Sequence, residues 1–262
     1  MPQAMGWNDF VDTETREEYQ RLNLLERIFD PFTVRNLDRL GVRPGSRCLE
    51  VGAGAGSVAR HMAELAGPEY VTATDLSLAF LTPLTELGIQ VRQHDVTADD
   101  PPGEFDLIHA RFVLDHLRER EAVLARMASW LRPGGWLCVE AASTLPELSS
   151  RPATRRSMET LSRVMSDRVG THTTWARQLP LPLERVGLLD CDTEGQMLPA
   201  RGGSPLASWL KSTTKLVESH ALETGLITRH ELDEAYVLYE SPDFLDYSWL
   251  TIAAWGRRPT AG

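Results

Sequence analysis

Three glycines at alternate positions, Gly52, Gly54 and Gly56, separate the apolar run 47–51 from a segment of helical periodicity that begins near Ser57. A strand that turns into a helix through glycines brings its backbone close to something else, because a Cβ would block the approach and restrict φ. The chain around this turn keeps one rhythm. Short apolar runs at 47–51, 70–74, 90–94, 107–110 and 136–141 alternate with helical segments that begin near Ser57, Leu78, Val113 and Arg120. Strands alternating with helices predict an α/β fold, a doubly wound parallel sheet with right-handed crossovers that binds its ligand at the carboxyl ends of the strands. The glycine turn falls at such an end.

Ahead of the sheet, residues 13–40 read as helical, with Leu22, Leu25, Ile28, Phe29 and Phe32 near helical spacing and Gly41 as a C-cap. Beyond it the rhythm breaks at 143–152. Helical stretches at about 150–186 and 204–240 then alternate with strand-like runs at 187–198 and 248–255. We therefore expect N-terminal helices over 1–45 acting as a cap, a ligand-binding core over 46–142, and over 143–262 the rest of the sheet with an inserted helical lid.

A chain of 262 residues buries a full core. Its net charge of -10, with lysine only at Lys211 and Lys215, argues against nucleic-acid or anionic-membrane surfaces, both of which need clustered basic residues. Cys48, Cys138 and Cys191 show no ligand spacing and no His/Asp/Glu pattern suggests a metal, so free thiols in a reducing compartment are expected. The first twenty residues are acidic and lack a basic-then-apolar signal pattern, and no apolar run approaches the roughly 18 residues that span a bilayer. A cytoplasmic protein is expected; its oligomeric state is not legible.

Two ligands use such a turn: a dinucleotide pyrophosphate, or the amino-acid tail of S-adenosylmethionine. The spacing lacks the third glycine of a strict GxGxxG. Glu50, at the mouth of the turn, would repel a pyrophosphate and attract an ammonium and a sulfonium, so charge favours the second ligand. Asp75 closes the second strand, where a carboxylate accepts from ribose hydroxyls, and Asp95 follows the third, where one can accept from an adenine amino group beside the Val96 amide.

These residues belong to longer strings: Cys-Leu-Glu-Val-Gly-Ala-Gly-Ala-Gly-Ser-Val-Ala-Arg at 48–60, Thr-Ala-Thr-Asp-Leu-Ser at 72–77, Arg-Gln-His-Asp-Val at 92–96, 105–117 around Leu-Asp-His-Leu, and Leu-Arg-Pro-Gly-Gly-Trp at the start of 131–140. Together they resemble the class I S-adenosylmethionine-dependent methyltransferases, the broad group that includes the ubiquinone/menaquinone C-methyltransferases. The resemblance implies a Rossmann-like, mostly parallel sheet with its last strand antiparallel. It implies that Glu50, Gly52, Gly54 and Gly56 surround the amino-acid tail, that Asp75 holds the ribose, that Asp95 and Val96 read adenine, and that Leu76 packs on the adenine face. After residue 140 only 201–205 and 253–259 resemble a narrower bacterial set, so the substrate would be fixed by the lid.

Methyl transfer from a sulfonium is an in-line displacement whose leaving group is already activated, so the protein aligns the acceptor and excludes water. A base is needed only if the acceptor must lose a proton. His116, beyond the fourth strand, is the best-placed base, with His172 next. Ala110 and Arg111 are expected at the cofactor, while His109 alternates to the packed face. Trp175, Met158, Met165 and Trp209 are candidates to line an apolar acceptor pocket. The expected activity is methylation of an O, N or acidic C atom of a small, partly apolar molecule, in bacterial specialised metabolism. The alternatives are a non-methylating cyclisation or rearrangement on the same fold, an NAD-binding oxidoreductase, or a non-catalytic binding module.

Overall fold

The structure is a computed structural model that describes residues 7–260; expectations for residues 1–6 and 261–262 lie outside the described residues. In chain order the helices are α1 (Trp7–Phe10), α2 (Arg16–Leu40), α3 (Ser57–Ala66), α4 (Thr82–Glu86), α5 (Arg120–Ser129), α6 (Pro152–Val164), α7 (Leu181–Arg185), α8 (Pro205–Glu223) and α9 (Arg229–Glu240). The strands are β1 (Cys48–Val51), β2 (Val71–Asp75), β3 (Gln90–Gln93), β4 (Phe105–Arg111), β5 (Leu131–Thr144), β6 (Leu189–Met197), β7 (Ala200–Arg201), β8 (Leu245–Asp246) and β9 (Trp249–Arg257).

The main sheet has seven strands in the order β3-β2-β1-β4-β5-β9-β6. β1 to β5 run parallel, and β9 lies antiparallel between β5 and β6, so the last strand is the reversed one, as expected. Alternation along the strands feeds two separate cores. Leu49, Val51, Ile108, Leu137 and Val139 pack with α5 and α7 on one face, whereas Cys48, Val71, Ala73, Leu107 and Cys138 pack with α2 and α3 on the other. This is double winding. A third cluster joins Ile28 and Phe29 of α2 to α6, α8 and α9, so the late helices close over the same long helix that covers the sheet.

Helix α2 starts at Thr15, whose hydroxyl accepts from the Glu18 N–H, and stops at Gly41 in the left-handed region at φ 75°. Two expected helix starts differ. The segment near Leu78 becomes helical only at Thr82, because the chain first turns on Asp75 and Pro83 then sets the first turn. The segment after Val113 is a single tight turn, Leu114–His116, which places Asp115 and His116 at the sheet's carboxyl edge.

Candidate active site

One cavity of about 520 Å³ opens above the carboxyl ends of β1 to β4. Gly52, Gly54, Asp75, Leu76, Asp95 and Val96 line it from the strand ends; Trp7, Arg21, Met165, Trp209 and Trp249 line it from the helical side. The glycines divide the work. A Cβ on Gly52 would lie 2.3 Å from Val113 Cγ2, and one on Gly56 would lie 2.9 Å from Leu84 Cδ1, so these two are glycine for packing. At Gly54 a Cβ would meet nothing closer than Leu22 Cδ2 at 3.6 Å. The open space there is the cavity itself. Gly56 does not line it, which corrects the expectation that all three glycines contact a ligand.

Asp75 ties the turn together. Its Oδ2 accepts from the Gly54 N–H at 2.9 Å and its Oδ1 from the Ser77 N–H at 3.1 Å, while burial pushes its pKa up against those same bonds. Asp95 accepts from the Thr97 N–H and hydroxyl through Oδ1. The first N–H of α3, where a pyrophosphate would dock, is already taken: Ser57 N–H donates to Glu26 Oε1 at 3.0 Å, and its hydroxyl to Asp30 Oδ1. Two carboxylates from α2 thus stand where a dinucleotide's phosphates would have to lie.

On the helical side, Phe29, Phe112, Trp249 and Trp209 form a closed set of edge-to-face contacts at 5.0, 6.4, 4.8 and 5.6 Å, and the last three line the cavity. Phe112 sits at φ 56°, a left-handed conformation that a bulky residue adopts only when its surroundings impose it. Its N–H donates to the Glu140 carbonyl at 2.8 Å, which fixes that turn. Two cations of the lining are paired: Arg21 with Glu18 through two bonds of 2.7 Å, and Arg111 with Asp30 at 2.9 Å.

His116 stacks on Trp7 at 4.5 Å, and its Nδ1 lies 2.9 Å from the Thr171 hydroxyl. Burial, then the charges of Arg21 and Arg120, push its pKa down to about 3, which favours the neutral ring.

A family model described as a methyltransferase domain matches residues 19–185, more than half of the chain. The chain belongs to the class I S-adenosylmethionine-dependent methyltransferases. Among methyltransferase relatives, it is 29% identical to methyltransferase str2 of Strobilurus tenacellus over 58% of this chain and 57% of that one. It is 33% identical to the ubiquinone/menaquinone biosynthesis C-methyltransferase UbiE of Bordetella parapertussis over 44% of this chain and 46% of that one. The chain thus spans about half the length of the curated relatives it matches. Its fold is shared with a phosphoethanolamine N-methyltransferase of Haemonchus contortus solved with S-adenosyl-L-methionine, at a TM-score of 0.57 and 18% identity, over 96% of this chain and 60% of that one.

Measured against this methyltransferase site, several expected residues stand elsewhere. Ala110 is fully buried under the turn. Met158 faces the α8 and α9 core, because the buried stripe of α6 points there. Trp175 belongs to the main core and donates from Nε1 to Glu121. His172 contributes its backbone N–H to the Asp115 carbonyl at 2.8 Å, and its ring lies beside Thr174, outside the cavity lining. Arg111 lines the cavity, but its guanidinium is held by Asp30 and Thr33. Met165 and Trp209 do line the cavity. Sequence reading passed over Trp7, Arg21, Phe112 and Trp249, because distant helices and an unmarked left-handed turn bring them in.

It also passed over Asp115. This carboxyl is 4% exposed, accepts from the Ala142 N–H at 2.8 Å, and has its pKa pushed up to about 7 by burial, against the backbone bonds and Arg120. A native carboxyl that keeps its proton to about pH 7, while the unfolded one loses it near 4, makes stability fall as pH rises between those values. Asp115→Asn should remove that slope. At about 1.4 kcal/mol per unit, the variant should gain a few kcal/mol relative to wild type between pH 4.5 and 8, read from melts at both pH values. An unchanged difference would place the shift elsewhere.

Among the described residues no helix is long and apolar enough to cross a membrane.

Proposed function

We propose that this chain transfers the methyl group of S-adenosylmethionine to an O, N or acidic C atom of a small, partly apolar molecule. The observation that carries this reading is the union of two walls in one cavity: Gly54, Asp75, Leu76 and Asp95 in order on successive strand ends, facing the Phe112, Trp209 and Trp249 box. The open Cβ space at Gly54 fits the amino-acid tail, Asp75 is positioned for ribose hydroxyls, and half-exposed Leu76 gives an apolar face for adenine beside Asp95 and Val96. The carboxylates of Glu26 and Asp30 at the start of α3 disfavour a dinucleotide and suit a cationic ligand.

The bound cofactor supplies an electrophilic methyl group on a leaving group that departs as a neutral thioether. The residues of the chain align the acceptor and keep water out. Arg21 and Arg111 are already paired with carboxylates of α2, and the aromatic box favours a ring. Trp209 Nε1, Trp249 Nε1 and Thr213 Oγ1 have no protein partner among the described residues, so an acceptor bearing oxygen functions matches that wall.

His116 serves here as an orienting group, so an O or acidic C acceptor reacts as its anion and an amine sheds its proton to solvent after transfer. A ring whose pKa lies near 3 is a poor sink for a proton, since efficient bases have values near the working pH. His116→Gln should lower turnover by no more than about tenfold, with cofactor affinity kept, and wild type should show no acid limb from this residue between pH 5 and 7. A loss of about 10²–10⁴ with a limb near pH 6 to 7 would restore it as the general base.

The same low basicity supports a second reading, a cyclisation or rearrangement that needs no proton sink. Candidate acceptors incubated with methyl-labelled cofactor separate the two. Label in the product supports methyl transfer; product without label supports the alternative.

A further inference from the structure

Beneath the cavity floor, on the face of the sheet covered by α2, lies a row of charges that the site as described does not use. Glu50 of β1 and His109 of β4 are register partners, and His109 Nδ1 lies 2.7 Å from Glu50 Oε2. On its other side His109 Nε2 lies 3.7 Å from Glu140 Oε1 of β5. The Thr33 hydroxyl of α2 lies 2.8 Å from Glu140 Oε2, and Arg111 donates to Thr33 and to Asp30. His109 and Glu140 are fully buried, and Glu50 is 2% exposed yet lines the cavity.

Two carboxylates cannot be held ionised in such a place without a cation between them. Burial by itself pulls His109 down, but Glu50 and Glu140 outweigh it and push its pKa up to about 9. Burial drives Glu50 up, and the charge on His109 works against that. The other groups of this row are the Cys138 thiol of β5, whose pKa burial raises, Arg111 on the same strand as His109, and Asp30 and Thr33 of α2, which bond Arg111. Ligand atoms of His109, Cys138 and Glu140 lie within 4.8 Å of one another; a metal there would have to displace the ring proton that the flanking carboxylates favour and the thiol proton that burial favours.

We propose that His109 is a positioning residue for the cofactor: its imidazolium, held between Glu50 and Glu140, keeps the Glu50 carboxylate ionised and fixed at the cavity floor, where it meets the α-ammonium of the cofactor's amino-acid tail. The inference rests on the S-adenosylmethionine reading above. His109 never touches the ligand and acts through Glu50. Because its native value lies above that of a free histidine, the ring carries its charge through neutral pH and loses it as pH rises through about 9.

The test compares two ligands by calorimetry at pH 6, 7 and 8: S-adenosylhomocysteine, which carries the tail, and 5′-methylthioadenosine, which lacks it. Wild type should bind S-adenosylhomocysteine with a nearly flat pH profile. His109→Gln should weaken that binding by about 10–100-fold, the range expected for a lost charged contact, with the loss largest at pH 6 because burial without the imidazolium drives the Glu50 carboxyl up. Binding of 5′-methylthioadenosine should change less than about twofold. Equal losses for both ligands would reduce His109 to a packing role, and an unchanged S-adenosylhomocysteine affinity would remove it. If wild type bound neither ligand, the cofactor reading itself would fall, and the inference with it. Wild-type protein gives an independent check that no folding defect can obscure: nitrogen NMR of the histidine rings should show His109 doubly protonated at pH 7.5. A neutral ring there, or stoichiometric zinc on Nε2, would overturn the proposal.

Discussion

Gly54→Val is expected to reduce S-adenosylhomocysteine affinity by at least about 30-fold, a cost of about 2 kcal/mol or more, while leaving the sheet intact. The backbone at Gly54 has φ 58°, so any side chain there carries left-handed strain of about 1–3 kcal/mol in stability. That strain is separable from the effect on the ligand. Gly41 has φ 75° and no atom within 4 Å of an added Cβ, and it lies at the far end of α2, away from the cavity. Gly41→Val should therefore lose stability to a similar degree and keep its affinity. A Gly54→Val protein that binds the ligand as tightly as the Gly41→Val protein would show that the turn only serves the fold. Gly52→Ala is a different case, because a Cβ 2.3 Å from Val113 must displace the β4 connection, and destabilisation is expected first.

Asp75→Ala is expected to weaken the same ligand by about 1.5–3 kcal/mol, or roughly 10–150-fold, the usual range for hydrogen bonds to a charged group. Two losses act together. The carboxylate proposed to hold the ribose would be gone, and the Gly54 and Ser77 N–H groups would lose the acceptors that shape the turn. Asp75→Asn keeps one carbonyl oxygen and can accept from only one side of the turn, so it should fall between alanine and wild type. An alanine variant within about threefold of wild type would put the ribose contact on another residue.

The strand-end wall of the cavity was legible because strand ends and glycines leave local marks. β1 to β4 begin and end within a few residues of the runs read from the sequence, and Asp75, Leu76, Asp95 and Val96 all reach the cavity. The division among the glycines was not legible, since it depends on Val113 and Leu84, residues from later loops that only the fold brings near. Alternation placed His109 on the packed face, yet nothing local told that Glu140, two strands from Glu50, would sit on its other side. On the helical side, apolar period alone made Met158 and Met165 equivalent. A wider turn at Met165–Val169 breaks the stripe after α6, and Met165 reaches the cavity while Met158 stays in the core. The left-handed Phe112 carries no mark in composition, and the aromatic box it completes joins α2, α8 and β9 across most of the chain.

The central claim, that the cavity is built for a cationic adenosyl ligand and not for a dinucleotide, is tested most directly by calorimetry of the wild-type chain against two ligands under one buffer. S-adenosylhomocysteine should bind with micromolar affinity if Gly54, Asp75 and Asp95, which line the cavity, take the proposed tail, ribose and adenine contacts, and NAD should give no measurable heat, because Glu26 and Asp30 hold the start of α3 against a pyrophosphate. Micromolar binding of NAD with none of S-adenosylhomocysteine would contradict the account.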